Sequence, residues 1–160
     1  MYHPMTRAAR LSALQLSIRA GLSAALALAL ADRLQLVESA NTVITAVIVT
    51  DLSPTKTRQL SRQRLAGTVL GAAVGAAMSG LVPAGPWGIG LGILAVMLLC
   101  HLLHLEAAAK LAGFVCGIVL LGHATDPWTY GWHRLLETTV GIGLAVLVSY
   151  LPKLIRVDVT

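Results

Sequence analysis

The chain has 160 residues, of which 56% are hydrophobic and 12% charged, whereas soluble domains run at roughly 45–50% apolar and about 25% charged. A mean hydropathy of +0.78 agrees, and this balance excludes an ordinary soluble enzyme and points to a membrane protein. The net charge of +5 belongs with helix ends and insertion orientation rather than with a nucleic-acid partner.

A membrane-spanning helix takes about 20 apolar residues, so this length holds six short spans and leaves no room for a soluble domain. The first span covers roughly Ser12 to Leu36 and carries Arg19 near its start. Its basic and apolar regions resemble a signal peptide, with Ala29 to Ala31 imitating a cleavage site. Because the same kind of segment recurs five more times, it reads as an uncleaved helix. The second span, about Ser39 to Leu52, is short and is stopped by Pro54. The basic stretch TKTRQLSRQR follows and reads as a loop. The third span runs from about Leu65 to Val82, and a turn with Pro83, Gly85 and Pro86 leads to the fourth, about Trp87 to Leu103. The fifth covers about Ala107 to Gly122. After the loop HATDPWTYGW comes the sixth, about His133 to Leu151, ended by Pro152. The expected fold is therefore all-α, a polytopic bundle of six transmembrane helices forming one domain over residues 1–160.

Six spans put both termini on one side. With them fall Arg7, Arg10, Arg19, Lys56, Arg58, Arg62, Arg64, Lys110, Lys153 and Arg156; opposite fall Arg33 and Arg134. This asymmetry predicts cytoplasmic termini. Trp87, Trp128, Tyr130 and Trp132 gather at the other face, as an aromatic belt would.

Laying the third span over the sixth exposes a repeat. Arg64-Leu65-x-x-Thr68-x-x-Gly71 recurs as Arg134-Leu135-x-x-Thr138-x-x-Gly141, and Ile48-Val49 aligns with Ile118-Val119 at the same offset. The third and sixth spans cross in opposite directions, so the copies are inverted three-helix repeats, one about 12–82 and the other about 87–152. Such repeats frame a site near the midplane, marked by short or Gly/Pro-interrupted helices in matching positions. The second span, ending at Pro54, and the fifth, broken by Gly113 and Gly117, are that pair.

Gly67, Gly71 and Gly75, with Gly141 in the second copy, read as helix-packing residues. Arg64 and Arg134 begin matching helices from opposite faces, which would place one cation near each mouth of a central path and favour anions. They could equally snorkel, orient the chain or pair with acids such as Glu137. Arg19 has the same two readings, whereas Arg58 and Arg62 read first as orienting charges. Asn41 and Thr45 share one helix face turned from lipid, suited to hydrogen bonds between helices or to lining a path. The candidate path thus comprises Arg19, Asn41, Thr45, Arg64, Thr68, Arg134 and Thr138. His101, His104 and Glu106 lack further ligands for zinc. Cys100 and Cys116 read as small apolar residues. No catalytic motif is present, and no metal or cofactor is expected.

The basic helix start Arg19-Ala20, the Thr/Pro/Lys/Arg segment Asp51 to Arg58, and the motifs Arg64 to Gly71 and Arg134 to Gly141 together resemble the fusaric acid resistance and aromatic acid exporter superfamily. The likeness covers nearly the whole chain. It implies a six-helix membrane unit that moves carboxylate anions, with Arg64, Arg134 and Arg19 as candidates for attracting them. Family exporters are usually longer, and Ser39-Ala40-Asn41 replaces the aromatic residue common ahead of the second helix. The short form would pair with a second copy to complete its path. The expectation is a homodimeric, multi-pass permease or channel of the bacterial inner membrane, exporting organic, aromatic carboxylates. The alternative is a non-transporting membrane scaffold or accessory subunit.

Overall fold

Proline and left-handed residues punctuate the chain into six helices. The structure is a computed structural model that describes residues 7–82, 85–122 and 126–151. Among them lie α1 (Arg7–Arg33), α2 (Ser39–Val49), α3 (Pro54–Ser79), α4 (Pro86–Leu102), α5 (Glu106–Gly122) and α6 (Pro127–Ser149), with no strand. Helices α3, α4 and α6 each open on proline, whose missing N–H is no loss in a first turn. Helices α1 and α4 end alike. Gln35 and His104 adopt left-handed φ angles of 51° and 56°, and the N–H groups of Leu36 and Leu105 reach back to the carbonyls of Ala31 and Cys100 at 3.0 and 2.8 Å. Both are Schellman turns, so His104 serves as a helix stop.

Two expected loops are helical. The stretch TKTRQLSRQR forms the first turns of α3, because Lys, Arg and Gln are good helix formers that an apolar pattern does not register. Similarly, α6 begins at Pro127, and the Asp126 carboxylate accepts the Thr129 N–H at 3.4 Å, so Trp128, Tyr130 and Trp132 are helical. Pro83, His123, Pro152, Lys153, Arg156 and the side chain of Arg7 lie outside the described residues.

Polarity in the bundle is the reverse of what water selects. The buried set is made mostly of Ala, Val, Cys and Gly with polar residues that include Arg19, Asn41, Thr42, Thr45, Arg64, Thr68, Arg134, Glu137 and Thr138. Large apolar side chains point outward instead: Leu14, Ile18, Leu22 and Leu26 along α1, and Leu91, Leu94 and Leu98 along α4. Residues Ala9–Arg33 make one helix long and apolar enough to cross a membrane, while Ser39–Val49 and Pro86–Leu102 are shorter apolar helices. Trp87, Trp128 and Trp132 are exposed, but Tyr130 departs from the expected belt. It is buried and its ring lies 5.9 Å from the Arg134 guanidinium carbon.

Helices α3 and α6 cross at the centre, where the hydroxyls of Thr68 and Thr138 meet at 3.4 Å. Helix α3 packs broadly on α5, which carries α4, while α6 packs on α2, which carries α1. The close contacts of the two arms correspond residue by residue. A Cβ added at Gly71 would lie 2.5 Å from the Ala112 carbonyl oxygen and 2.8 Å from Val115 Cβ; at Gly141 it would lie 2.6 Å from the Thr42 oxygen and 2.9 Å from Thr45 Cβ. Each residue of the first set stands 70 positions from its counterpart, the separation of the two central threonines.

Both glycines therefore permit a backbone approach that any side chain would block. Gly71→Ala and Gly141→Ala should each cost about 1–3 kcal/mol through overpacking, measured by unfolding in detergent micelles. Gly21→Ala, which meets nothing within 4 Å, should instead be neutral or gain about 0.5–1 kcal/mol of helix propensity.

Candidate functional site

Four helical turns bring the polar residues of the bundle together around the α3/α6 crossing. Thr68 and Arg64 are one turn apart on α3, and the Thr68 hydroxyl donates to the Arg64 carbonyl at 2.9 Å. Arg134 precedes Thr138 by the same interval on α6. Both arginines are buried, at 3% and 4% exposure, and close enough for their charges to repel. They flank the central threonines, drawn in from the ends of the bundle.

Their surroundings differ sharply. Arg134 Nη1 donates to Glu38 Oε2 at 3.1 Å. Glu137, the acid expected beside it, instead accepts the Glu38 backbone N–H at 2.8 Å and Asn41 Nδ2 at 2.9 Å. Asn41 Nδ2 also lies 3.0 Å from Glu38 Oε2, so one amide binds two carboxylates. Arg64 has no ion pair among the described residues, and its buried Nε has no hydrogen-bond partner. The residues found 70 positions apart account for the difference. Positions 108 and 67, which correspond to Glu38 and Glu137, hold Ala108 and Gly67, and there the backbone of α3 closes directly onto α5.

The other candidates divide. Asn41 belongs to the charged cluster, and Thr45, fully buried, packs against Gly141 with its hydroxyl unpartnered. Arg19 sits elsewhere, its Nη1 donating to the Leu52 carbonyl at 3.1 Å and its Nη2 to the Leu151 carbonyl at 2.7 Å. It joins α1 to the chain just beyond the C-terminal ends of α2 and α6, where a cation is favoured by the helix dipoles. Gly67, Gly71 and Gly75 face α5, and Gly141 faces α2. Arg58 stacks on Tyr150 with its guanidinium carbon 5.3 Å from the ring centre, and with Arg62 it lines an open basic groove on the first turns of α3.

On the flank of the crossing lies an apolar groove of about 170 Å³, lined by Thr68, Ala72, Trp128, Gly131, Trp132 and Leu135 among others. Among the described residues, no three His, Cys, Asp or Glu side chains converge as a metal site requires.

Glu38 and Glu137 were not singled out as site residues by sequence reasoning. The signal lay in a place where the copies of the motif disagree in charge, Gly67 against Glu137. Glu38 is 99 positions from Glu137, a distance that no local pattern spans.

An all-α bundle with its leucines outside and its small and polar residues inside has the build of a membrane protein. The chain belongs to the aromatic acid exporter family: the family model described as aromatic acid exporter family member 1 matches residues 15–151. No curated protein and no solved structure gives a significant match. Membership makes it a membrane transport protein rather than an enzyme, acting in a lipid bilayer on a small organic substrate.

The contrast between the arginines has a consequence for stability. Arg134→Met should cost about 2–3 kcal/mol, because it strips the cation from two acids. Arg64→Met should leave stability unchanged or raise it, since it removes a buried charge that has no partner. Unfolding of both variants in mixed micelles measures the difference.

Proposed function

We propose that the chain exports aromatic carboxylate anions across the bacterial inner membrane, as a homodimer of six-span subunits with cytoplasmic termini. Each subunit is read as two inverted three-helix repeats, a reading supported by the matched contacts of Gly71 and Gly141 and by the Thr68–Thr138 contact at their common offset. The leucine-covered exterior supports a multi-pass arrangement, since that surface suits lipid and not water.

The observation that carries the proposal is Arg64. A guanidinium 3% exposed, without an acidic partner among the described residues, is costly to keep unless an anion completes it. A carboxylate fits the guanidinium fork with two parallel hydrogen bonds. Arg134 is already occupied by Glu38, so Arg64 supplies attraction and Arg134 shapes the other side of the crossing. Thr68 and Thr138 stand between them as neutral hydroxyls past which an anion moves. The groove walled by Trp128 and Trp132 supports an aromatic substrate: at about 170 Å³ it exceeds the roughly 150 Å³ that holds a benzene ring in an apolar cavity. A scaffold role would use the same glycine packing and leave Arg64 unexplained.

The test is flux of labelled benzoate from proteoliposomes. The wild-type protein should release it, and Arg64→Ala should slow release about tenfold or more, since it removes both charge-assisted hydrogen bonds and either alone is worth about that factor. Absence of flux, or flux indifferent to Arg64, would overturn the proposal.

A further inference from the structure

Glu137 leads the fully buried side chains in size, yet anion attraction at Arg64 gives it no task. Building on that anion-transport reading, we infer that Glu137 is a proton-binding site linked to the anion site at Arg64, so that each carboxylate bound brings one proton with it.

The scaffold does not require an acid at this place. At the corresponding position of the other arm, Gly67 lets α3 lie directly against Ala108 and Leu111 of α5. Glu137 instead spans to Glu38 and Asn41 of the α2 arm, and every hydrogen bond it accepts comes from a neutral donor, the Glu38 N–H and the Asn41 amide. Two carboxylates converge on Asn41 Nδ2, and the cluster has a single guanidinium, Arg134, bonded to Glu38. With both acids ionised, the cluster of Arg134, Glu38 and Glu137 carries one net negative charge. At the matching place in the other arm, Ala108 and Gly67 stand where the acids are, and Arg64 leaves one net positive charge there.

These two sets of side chains at the crossing are together neutral, with Arg19 held at backbone carbonyls elsewhere in the bundle, and that balance sets the linkage. A carboxylate arriving at Arg64 leaves the charges at the crossing with one excess negative charge, which is costly out of water. A proton on Glu137 removes the excess. The reverse holds equally, because coupling between two binding events is reciprocal. The charges form a continuous chain: Arg64 repels Arg134, and Arg134 bonds Glu38 and attracts Glu137. The side chain of Glu38 is 39% exposed, whereas Glu137 is 2% exposed. Glu38 therefore offers the proton its route inward. An O–H bond breaks on a solvent acid and forms on Glu38, then breaks there and forms on Glu137, with no other bond changed.

The groups around Glu137 are Glu38 and Asn41 at the start of α2, with Arg134 and Tyr130 on its own helix. Helices α1 and α3 also pack on α6. Of their charged groups, Asp32 accepts a hydrogen bond from Ser39, Arg19 is bound at the Leu52 and Leu151 carbonyls, and Arg64 is the anion site.

Calorimetric titration of the detergent-solubilised protein with benzoate, repeated in two buffers of different ionisation enthalpy, counts protons taken up per anion. The wild-type protein should take up about one, and its affinity should rise about tenfold for each unit the pH falls. Glu137→Gln keeps an oxygen for the Glu38 N–H and should bind benzoate with no proton uptake and no such pH dependence. Binding without proton uptake in the wild-type protein, or uptake that survives in a folded Glu137→Gln, would overturn the linkage alone. If Glu137→Gln fails to fold, the wild-type proton count still decides. Absence of benzoate binding would overturn the Arg64 reading and the linkage with it.

Discussion

The contact of two threonine hydroxyls at 3.4 Å sets the separation of α3 and α6, and the rest of the bundle is arranged around it. Helices brought this close cannot carry large side chains at their other interfaces. Gly71 and Gly141 meet backbone carbonyls, and the cores beside them are Ala112, Val115, Cys116 and Val119 on one arm and Thr42, Thr45, Ala46 and Val49 on the other. Leucine is displaced to the exterior. In a bilayer this loses nothing, because lipid is as apolar as a leucine-filled core and helix association rests on close packing and interhelical hydrogen bonds.

A core of small residues leaves room for charge, and the two arms use it differently. Around Arg134, the chain supplies Glu38, Glu137 and Asn41, whose hydrogen bonds of 2.8–3.1 Å make a closed polar cluster. Around Arg64, the corresponding positions hold alanine and glycine, so the backbone closes in and the guanidinium keeps its charge without a counter-ion among the described residues. Similar close contacts in the two arms thus surround one cation paired within the chain and one without an acidic partner among the described residues. Arg19 shows a third use of the same side chain, tying α1 to two backbone carbonyls near helix ends, where it holds the bundle closed.

Much of this was legible from residue order. Six apolar segments and their proline boundaries identified the helices and their number, and the recurrence of Arg-Leu-x-x-Thr-x-x-Gly at one spacing marked α3 and α6 as a matched pair. Glycines four apart marked the face that α5 covers. Helix starts were harder to read. The first turns of α3 and α6 are rich in basic or aromatic residues, and an apolar pattern cannot register a helix that begins ahead of its apolar stretch.

What the sequence determined by itself is whatever depends on local spacing and on solvent preference: helix content, the membrane class, the family and the motif residues of the two crossing helices. Only the tertiary structure decided which charges meet. Arg134 and Glu137 are three apart and look like partners, yet Arg134 bonds Glu38, 96 positions away, and Glu137 turns to Asn41. Arg64 and Arg134 look equivalent in sequence and differ in the fold, because a pairing partner is assigned by the helix packed opposite, and α5 and α2 present different residues at the same depth. Charge pairing acts through space over a few ångströms, and separation along the chain says nothing about it until the helices are docked.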